Sequence, residues 1–189
     1  MESRLYTFAG GSTGEWGVTL MRAVVGEPLP VVERVSVLSG GVVAVAADAL
    51  WSLRGVTSNA RYTTREEKAA LSATPNVMGR SEATRAALIP IRKNAAWWEL
   101  AQDERRAILE DRSHHIRTGL QYIPEIARRL LYSRDLGSPE PFDFLGWLEY
   151  APEQSAALED LVGTLRATEE WKFVDREVDI RLSLDHGRH

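Results

Sequence analysis

The chain has 189 residues, of which 44% are hydrophobic and 26% are charged, and its net charge is −4. This length and composition predict one compact domain, residues 1–189, with a substantial core. The negative charge disfavours nucleic acid and anionic membranes as partners, because it gives no attraction to a phosphate surface. The lack of Cys excludes disulfides, thiolate nucleophiles, Cys-ligated zinc and iron–sulfur clusters. The sequence has no long apolar run and no basic-then-apolar leader, so it predicts a cytoplasmic protein.

The N-terminal third of the sequence predicts strands in a Gly-rich setting. The first 30 or so residues read as irregular, apart from a predicted strand at WGVTLMRAVVG, residues 16–26. Residues 33–38, ERVSVL, and 40–55, GGVVAVAADALWSLRG, predict two further strands, the second apolar on both faces. Residues 1–35 are the part whose structure the sequence defines least.

Two stretches predict helices before the C-terminal half. Residues 63–73, TTREEKAALSA, start with a choice of N-cap, Thr63 or Thr64, followed by acidic residues. Residues 102–120, QDERRAILEDRSHHIRTGL, predict one long amphipathic helix that ends near Gly119.

The rest of the sequence alternates strands and one more helix. Residues 128–136 and 142–150 predict two strands, 155–168 a helix, and 177–184 a final strand with alternating apolar residues. Helix, strand, strand, helix, strand is the second half of a ferredoxin-like unit, so residues 90–184 are predicted to form a complete half after an abbreviated N-terminal one. The predicted fold class is therefore α+β, an antiparallel sheet flanked by helices. An abbreviated first half leaves apolar sheet uncovered, which predicts self-association.

Histidine is scarce, and two of the four lie side by side. His186 and His189 belong to a C-terminal tail that is a poor place for a fixed site. At about 100° per residue, His115 falls at the margin of the apolar stripe of the predicted helix, with Gly119 one turn on, whereas His114 points to the polar side. A neutral imidazole at His115 could ligate a metal, but a structural histidine at the edge of the core explains the same pattern.

A cation follows the histidine pair at short range. Arg128 lies thirteen residues after His115, where strand alternation puts it on the same side as Leu130. A guanidinium beside an apolar side chain needs water or an anion, because a buried charge must be paired. An ordinary arginine at a strand edge is the alternative. Arg129 faces the other way and is predicted to lie on the surface.

Several ordered blocks of this sequence are similar to those of one known protein family. HIRTGLQYIPEIARRLLYSRDLGSPEPFDFLGWLEY, with RYTT and ALIPIRKNAAWWEL upstream and LRATEEWKFVDREVDIRL downstream, resembles the chlorite dismutase family over roughly residues 40–184. The resemblance is to its short-chain, dimeric cytoplasmic branch, and it implies a dimeric α+β barrel fold.

The resemblance also implies roles for individual residues. His115 matches the proximal ligand of haem iron, because the family's spacing of thirteen residues to the distal arginine selects His115, and Arg128 then matches that catalytic arginine. Lys93 and Glu170 match the pair linked to the proximal imidazole by hydrogen bonds, with Glu169 as the alternative if the alignment shifts by one residue.

The remaining implied contacts surround the haem. Trp97 matches an aromatic residue packed near it, and Trp98 is a less specific match. Asn59 and Tyr62 fall where the family contacts the haem propionates. Leu130 and Leu148 match the lining of the distal pocket, although Leu148 departs from the Phe common in longer members, which leaves the shape of that wall open.

The implied activity is decomposition of chlorite to chloride and dioxygen by noncovalent haem b, through a ferryl haem and transient hypochlorite. The implied partners are chlorite and a second copy of the chain, with no nucleic acid and no membrane. The alternatives are a weak peroxidase or coproheme decarboxylase on the same scaffold, or a non-catalytic haem-binding module. Arg128 argues against the decarboxylase, whose family pattern has a neutral amide at this position.

Overall fold

The computed structural model describes residues 4–41 and 43–184, and within these residues eight strands close into a barrel. Around the barrel the strands follow the order β1-β3-β2-β8-β5-β7-β6-β4, and each neighbouring pair is antiparallel. The strands are β1 Leu5–Gly11, β2 Trp16–Val25, β3 Arg34–Ser39, β4 Trp51–Thr57, β5 Arg85–Lys93, β6 Ala127–Tyr132, β7 Phe144–Tyr150 and β8 Val174–Leu184.

The α-helices of the described residues are short, and most of them follow β5 along the chain. They are α1 Arg65–Ala73, α2 Ala95–Glu99, α3 Gln102–Arg106, α4 His115–Tyr122 and α5 Ser155–Arg166. A π-helical turn, Ala107–Arg112, continues α3, and 3-10 turns lie at Pro152–Gln154 and Glu170–Phe173. None of the helices in the described part of the chain is long and apolar enough to cross a membrane.

Strand alternation divides the core into an inner and an outer layer. Leu88 of β5, Trp147 of β7 and Ile180 of β8 point into the barrel, where they join one large apolar cluster. The other face of β5 and β7 packs against α5 in a second cluster, which includes Ile89 and Leu158. A third cluster forms around α2, the π-helical turn and α4. The helices therefore cover one outer side of the barrel, and the space between helices and sheet is where a ligand can be enclosed.

Most of the predicted elements are confirmed. The strands predicted at 16–26, 33–38 and 177–184 correspond to β2, β3 and β8, and the helix predicted at 155–168 to α5. The strands predicted at 128–136 and 142–150 are shorter than expected, as β6 and β7. The helix predicted at 63–73 is α1, whose N-cap is Thr64: its side chain accepts from the backbone N–H of Glu67, and the Glu67 carboxylate accepts from the backbone N–H of Thr64.

Two strands, β1 and β5, were not predicted, each for its own reason. The Gly-rich start is a regular strand, β1. Gly10 lies opposite Trp51 in the β1–β4 pairing, and glycine is needed there because a Cβ would overlap the indole ring. The prediction of irregular structure is therefore wrong over β1. In β5, Pro90 interrupts the sequence pattern of a nine-residue strand, yet it lies in the ladder opposite Leu145.

Among the described residues of the apolar run at 40–55, strand structure starts at Trp51, so the prediction of one long strand is wrong. β1 lies between β3 and β4, and the chain must cross from one side of β1 to the other between them. Residues 43–50 make that crossing without strand structure, and Val45 and Leu50 are exposed there.

The predicted long helix at 102–120 is also wrong, because it is broken in the middle. After the π-helical turn, His114 has φ 54° and ψ 33°, in the left-handed region, and α4 begins at His115 and continues past Gly119 to Tyr122. The helical phase is reset at this break, so the orientation of His115 cannot follow from counting residues along one helix.

We predict that Gly10→Ala lowers the free energy of unfolding by about 1–3 kcal/mol, because its Cβ would displace the Trp51 ring. Gly163→Ala is the control: Gly163 lies within α5 and a Cβ there meets nothing within 4 Å, so this change should leave stability unchanged or raise it by up to ~1 kcal/mol. Urea denaturation measures both, and equal stability of the Gly10→Ala variant and the parent would contradict the packing described.

Candidate functional site

A cavity lies between the α2–α4 segment and the outer face of β5, β6 and β7. Its empty volume is about 750 Å³, including the part open to solvent. Eight of the residues predicted for the site line it: Asn59, Tyr62, Lys93, Trp97, His115, Arg128, Leu130 and Glu170. Leu148 instead lines an adjoining apolar cavity of about 560 Å³, which shares His115, Arg128 and Leu130 with the first.

A buried charge chain supports one wall of the cavity. Nδ1 of His115 lies 2.6 Å from Oε2 of Glu170, and Nζ of Lys93 donates to Oε1 of the same carboxylate over 2.8 Å. Lys93 is the last residue of β5, Glu170 begins a 3-10 turn, and His115 begins α4. Lys93 and Glu170 are 5% and 3% exposed, so each charge depends on the other for compensation.

The charges around Glu170 keep it ionised. Burial alone would raise its pKa, but the electrostatic interactions and hydrogen bonds with His115 and Lys93 outweigh this and lower the pKa of Glu170 to about 2. An ionised carboxylate only accepts, so Nδ1 of His115 carries the proton and donates it. The lone pair of Nε2 is thereby left available on a ring that borders the cavity.

The structure distinguishes between the neighbouring candidates. Glu169, the alternative to Glu170, forms an exposed ion pair with Arg112 at 3.0 Å. His114 lies in the helix break, with Nδ1 3.0 Å from the carbonyl oxygen of Glu110 and 2.9 Å from Nη2 of Arg117. His115 and Glu170 are therefore the members of each pair that reach the cavity.

Arg128 is a buried cation without a counter-ion. It is 6% exposed, and within residues 4–41 and 43–184 its guanidinium has no carboxylate within ion-pair distance and no hydrogen-bond acceptor. Burial lowers the pKa of Arg128. The guanidinium packs against Gly119, where a Cβ would overlap Nη1. A buried, unpaired guanidinium bordering a cavity is suited to an anionic ligand.

The strand position of Arg128 is fixed by a residue that the sequence did not reveal. Asn76 accepts from the backbone N–H of Arg128 over 2.8 Å and donates to its carbonyl over 2.7 Å. Asn76 lies in a polar connection between α1 and β5, where nothing in the sequence marks it as a partner of β6. Arg129, predicted to be on the surface, is half-buried with its guanidinium 4.1 Å from the ring centre of Tyr6, so it is less exposed than predicted.

Aromatic residues form another wall of the cavity. Trp97 is fully buried, and its ring lies 4.5 Å from Nζ of Lys93 and 6.2 Å from the ring of Tyr62. Nε1 of Trp97 and the Tyr62 hydroxyl are buried without a hydrogen-bond partner among the described residues. Trp98 faces elsewhere and stacks on Phe144, with ring centres 6.1 Å apart.

Three further residues of this region were missed from the sequence. Ser113 accepts from the backbone N–H of Glu170 over 3.0 Å, and Glu110 accepts from backbone N–H groups of α4. Trp171 lies nearly parallel to His115 with 6.5 Å between ring centres. Only Trp171 gave a signal, as the neighbour of Glu170. Asn59 accepts from the backbone N–H of Leu130 over 2.8 Å and so supports the strand that carries Arg128.

The comparisons with known proteins agree on one family. Residues 14–184 match the model of the chlorite dismutase family. Dimeric chlorite dismutase from Nitrobacter winogradskyi is 54% identical, with 95% of this chain and 99% of that chain covered and a TM-score of 0.85. Two mutant chlorite dismutases from Candidatus Nitrospira defluvii are 19% and 18% identical, with TM-scores of 0.61 and 0.62. They cover 97% and 98% of this chain and each is covered over 93% of its own length, so they show that the fold is shared.

We predict that Glu170 makes the stability of the ligand-free protein depend on pH. Its pKa is lowered from 4.5 to about 2 on folding, so its contribution is fully present above the unfolded value and is lost as the pH falls from about 4.5 towards about 2. Glu170→Gln should remove this acid-dependent loss, on the order of 3 kcal/mol. Urea denaturation across this pH range measures it.

Glu169→Gln is the matched control, because its carboxylate is exposed. It should keep the acid-dependent loss of the parent. An unchanged pH profile in Glu170→Gln would contradict the charge chain.

Proposed function

Because the chain belongs to the chlorite dismutase family, we propose that it binds haem b noncovalently and decomposes chlorite to chloride and dioxygen. One observation carries the proposal: an imidazole tied through Nδ1 to a buried carboxylate borders the same cavity as a buried guanidinium that has no counter-ion in the described part of the chain. The first arrangement suits a ligand of haem iron, and the second suits an oxyanion.

The residues present fit haem. The described residues hold no group of three or more metal-ligating side chains, so a metal at His115 would have fewer than three protein ligands there, which haem iron with a single proximal His tolerates. The two adjoining cavities have mainly apolar walls, and the lack of a side chain at Gly119 leaves room for the Arg128 guanidinium. The Tyr62 hydroxyl and Nε1 of Trp97 are donors for which residues 4–41 and 43–184 supply no partner. With Asn59, Tyr62 would hold the carboxylates of the haem edge.

The residues around a bound haem would have separate roles in ligation and in substrate binding. Bound haem supplies the redox chemistry that breaks the Cl–O bond and joins the oxygen atoms. Glu170, anchored by Lys93, holds the proton of the His115 Nδ1 and makes Nε2 a stronger donor to a metal. Arg128 attracts and orients the anionic substrate, and its fixed charge retains the oxychlorine anion until the O–O bond forms.

The proposal also covers the ferredoxin-like architecture and a homodimeric assembly. The second half runs β5, α2–α4, β6, β7, α5, β8 with the strand order β8-β5-β7-β6, which supports a ferredoxin-like unit over residues 90–184. The first half has one helix that buries none of its residues, α1, in keeping with an abbreviated unit. We propose a homodimer, as the dimeric relative suggests, with the exposed Leu20 and Val24 of β2 in the uncovered region. A single domain over 1–189 and a cytoplasmic location stay predictions.

The test of function is to add haem and then chlorite while an oxygen electrode records dioxygen. Rapid release of dioxygen supports the proposal, haem uptake without dioxygen indicates a haem carrier, and a lack of haem uptake contradicts both the enzyme and the carrier.

We predict that Arg128→Ala keeps haem but loses about 100-fold in kcat/KM, with a higher KM and faster inactivation by escaping hypochlorite. Arg128→Lys keeps the charge without the planar fork and should lie between the two. Unchanged kinetics and lifetime in Arg128→Ala would remove the role of this cation.

We also predict that His115→Ala abolishes the absorption spectrum of five-coordinate ferric haem, because His115 is the one histidine among the described residues that line the cavity. His114→Asn is the control, since Asn tolerates the left-handed backbone at this position and should keep the spectrum. The opposite outcome would assign iron ligation to His114.

A further inference from the structure

We propose that Glu110 is a positioning residue: its buried carboxylate caps α4 and so fixes the backbone that carries the His115 imidazole. The inference rests on the proposed function, because the importance of this imidazole follows from haem ligation. Glu110 is 7% exposed and lies in the π-helical turn, five residues before His115.

Helix α4 begins without an ordinary cap. The residue at its N-cap, His114, has a left-handed backbone and makes no capping hydrogen bond with its side chain. The first N–H groups of a helix have no partner within it and require one from elsewhere. Glu110 provides it: Oε2 accepts from the N–H of Ile116 over 2.6 Å, and Oε1 accepts from that of Arg117 over 3.3 Å. A carboxylate at this end also matches the helix dipole.

The backbone of Glu110 holds the same break. Its carbonyl oxygen accepts from the N–H groups of Ser113 and His114, the latter over 2.9 Å. Glu110 lies in the π-helical turn, a form that often occurs at functional sites, and this turn comes just before the left-handed break at His114. One residue therefore ties both sides of the break together.

The break holds the carboxylate partner of His115 as well. Ser113 accepts from the N–H of Glu170 over 3.0 Å and is buried. The hydrogen bond between Nδ1 of His115 and Glu170 thus has both of its ends attached to the segment that Glu110 organises. Loss of the Glu110 carboxylate would free the first turn of α4, and a shift of about 1 Å there would break a bond of this kind.

The experiment compares Glu110→Ala and Glu110→Gln with Thr64→Ala. Thr64 caps α1, which buries none of its residues and lies outside the cavity lining, so Thr64→Ala costs stability through loss of a cap elsewhere. The first measurement uses haem-free protein: hydrogen exchange of the Ile116 and Arg117 amides, and the low-field proton resonance of His115 Nδ1–H by NMR.

We expect Glu110→Ala to speed exchange of these two amides at least about tenfold and to broaden or remove the Nδ1–H resonance. Glu110→Gln keeps the size and one acceptor oxygen, so it should show smaller changes in the same direction and covers the case in which Glu110→Ala does not fold. Thr64→Ala should lower the melting temperature and leave all three signals unchanged. An unchanged Nδ1–H resonance in the folded Glu110 variants overturns the inference.

The second measurement adds haem. Glu110→Ala should weaken haem binding about tenfold and give a ferric EPR spectrum with more than one axial geometry, whereas Thr64→Ala should match the parent. The same affinity and spectrum in the Glu110 variants and the parent overturns the inference. If the parent itself takes up no haem, the proposed function fails, and the haem-free NMR comparison still decides whether Glu110 positions His115.

Discussion

The hydrogen bond between Nδ1 of His115 and the Glu170 carboxylate is the interaction on which the site depends. It joins the first residue of α4 to the turn before β8, and Lys93 extends it to the end of β5. Removing one partner from a buried ionic group costs about 3–5 kcal/mol, because a charge is left uncompensated. The geometry of the imidazole is therefore coupled to the stability of the surrounding fold.

The charge balance differs between the walls of the cavity. On the His115 side, one carboxylate is shared between an imidazole and an ammonium group, and the charges are compensated. On the β6 side, Arg128 remains a cation without a carboxylate partner among the described residues. The chain as a whole carries a charge of −4, so attraction of a small anion must be a local property of this arginine and the apolar walls, which strengthen its field.

The sequence predicted those elements whose patterns are periodic and failed where one tertiary contact decides the outcome. Alternation over 177–184 predicted β8, and apolar spacing predicted α5. The Trp51 ring occupies the space that a Cβ at Gly10 would take, so β1 has a glycine at this position. This contact leaves no mark in the local sequence. β5 was missed for a different reason, because Pro90 interrupts its sequence pattern and proline is disfavoured within strands.

The site was predictable mainly through the family resemblance. Periodicity and resemblance both selected His115, yet the periodicity assumed one continuous helix, and the left-handed His114 resets its phase. The resemblance named Lys93 and Glu170, whose contact with His115 joins residues that are far apart in sequence. Neither method found Glu110 or Asn76, since each acts on the backbone of another segment and no side-chain pattern records such a contact.

The most direct test of this account is a crystal structure of the protein grown with haem b and nitrite as a stable oxyanion. The account predicts Nε2 of His115 on the iron, Nδ1 of the same ring within hydrogen-bond distance of Glu170, and the anion between the iron and Arg128. Haem bound elsewhere, or a His115 ring turned away from the iron, would contradict it.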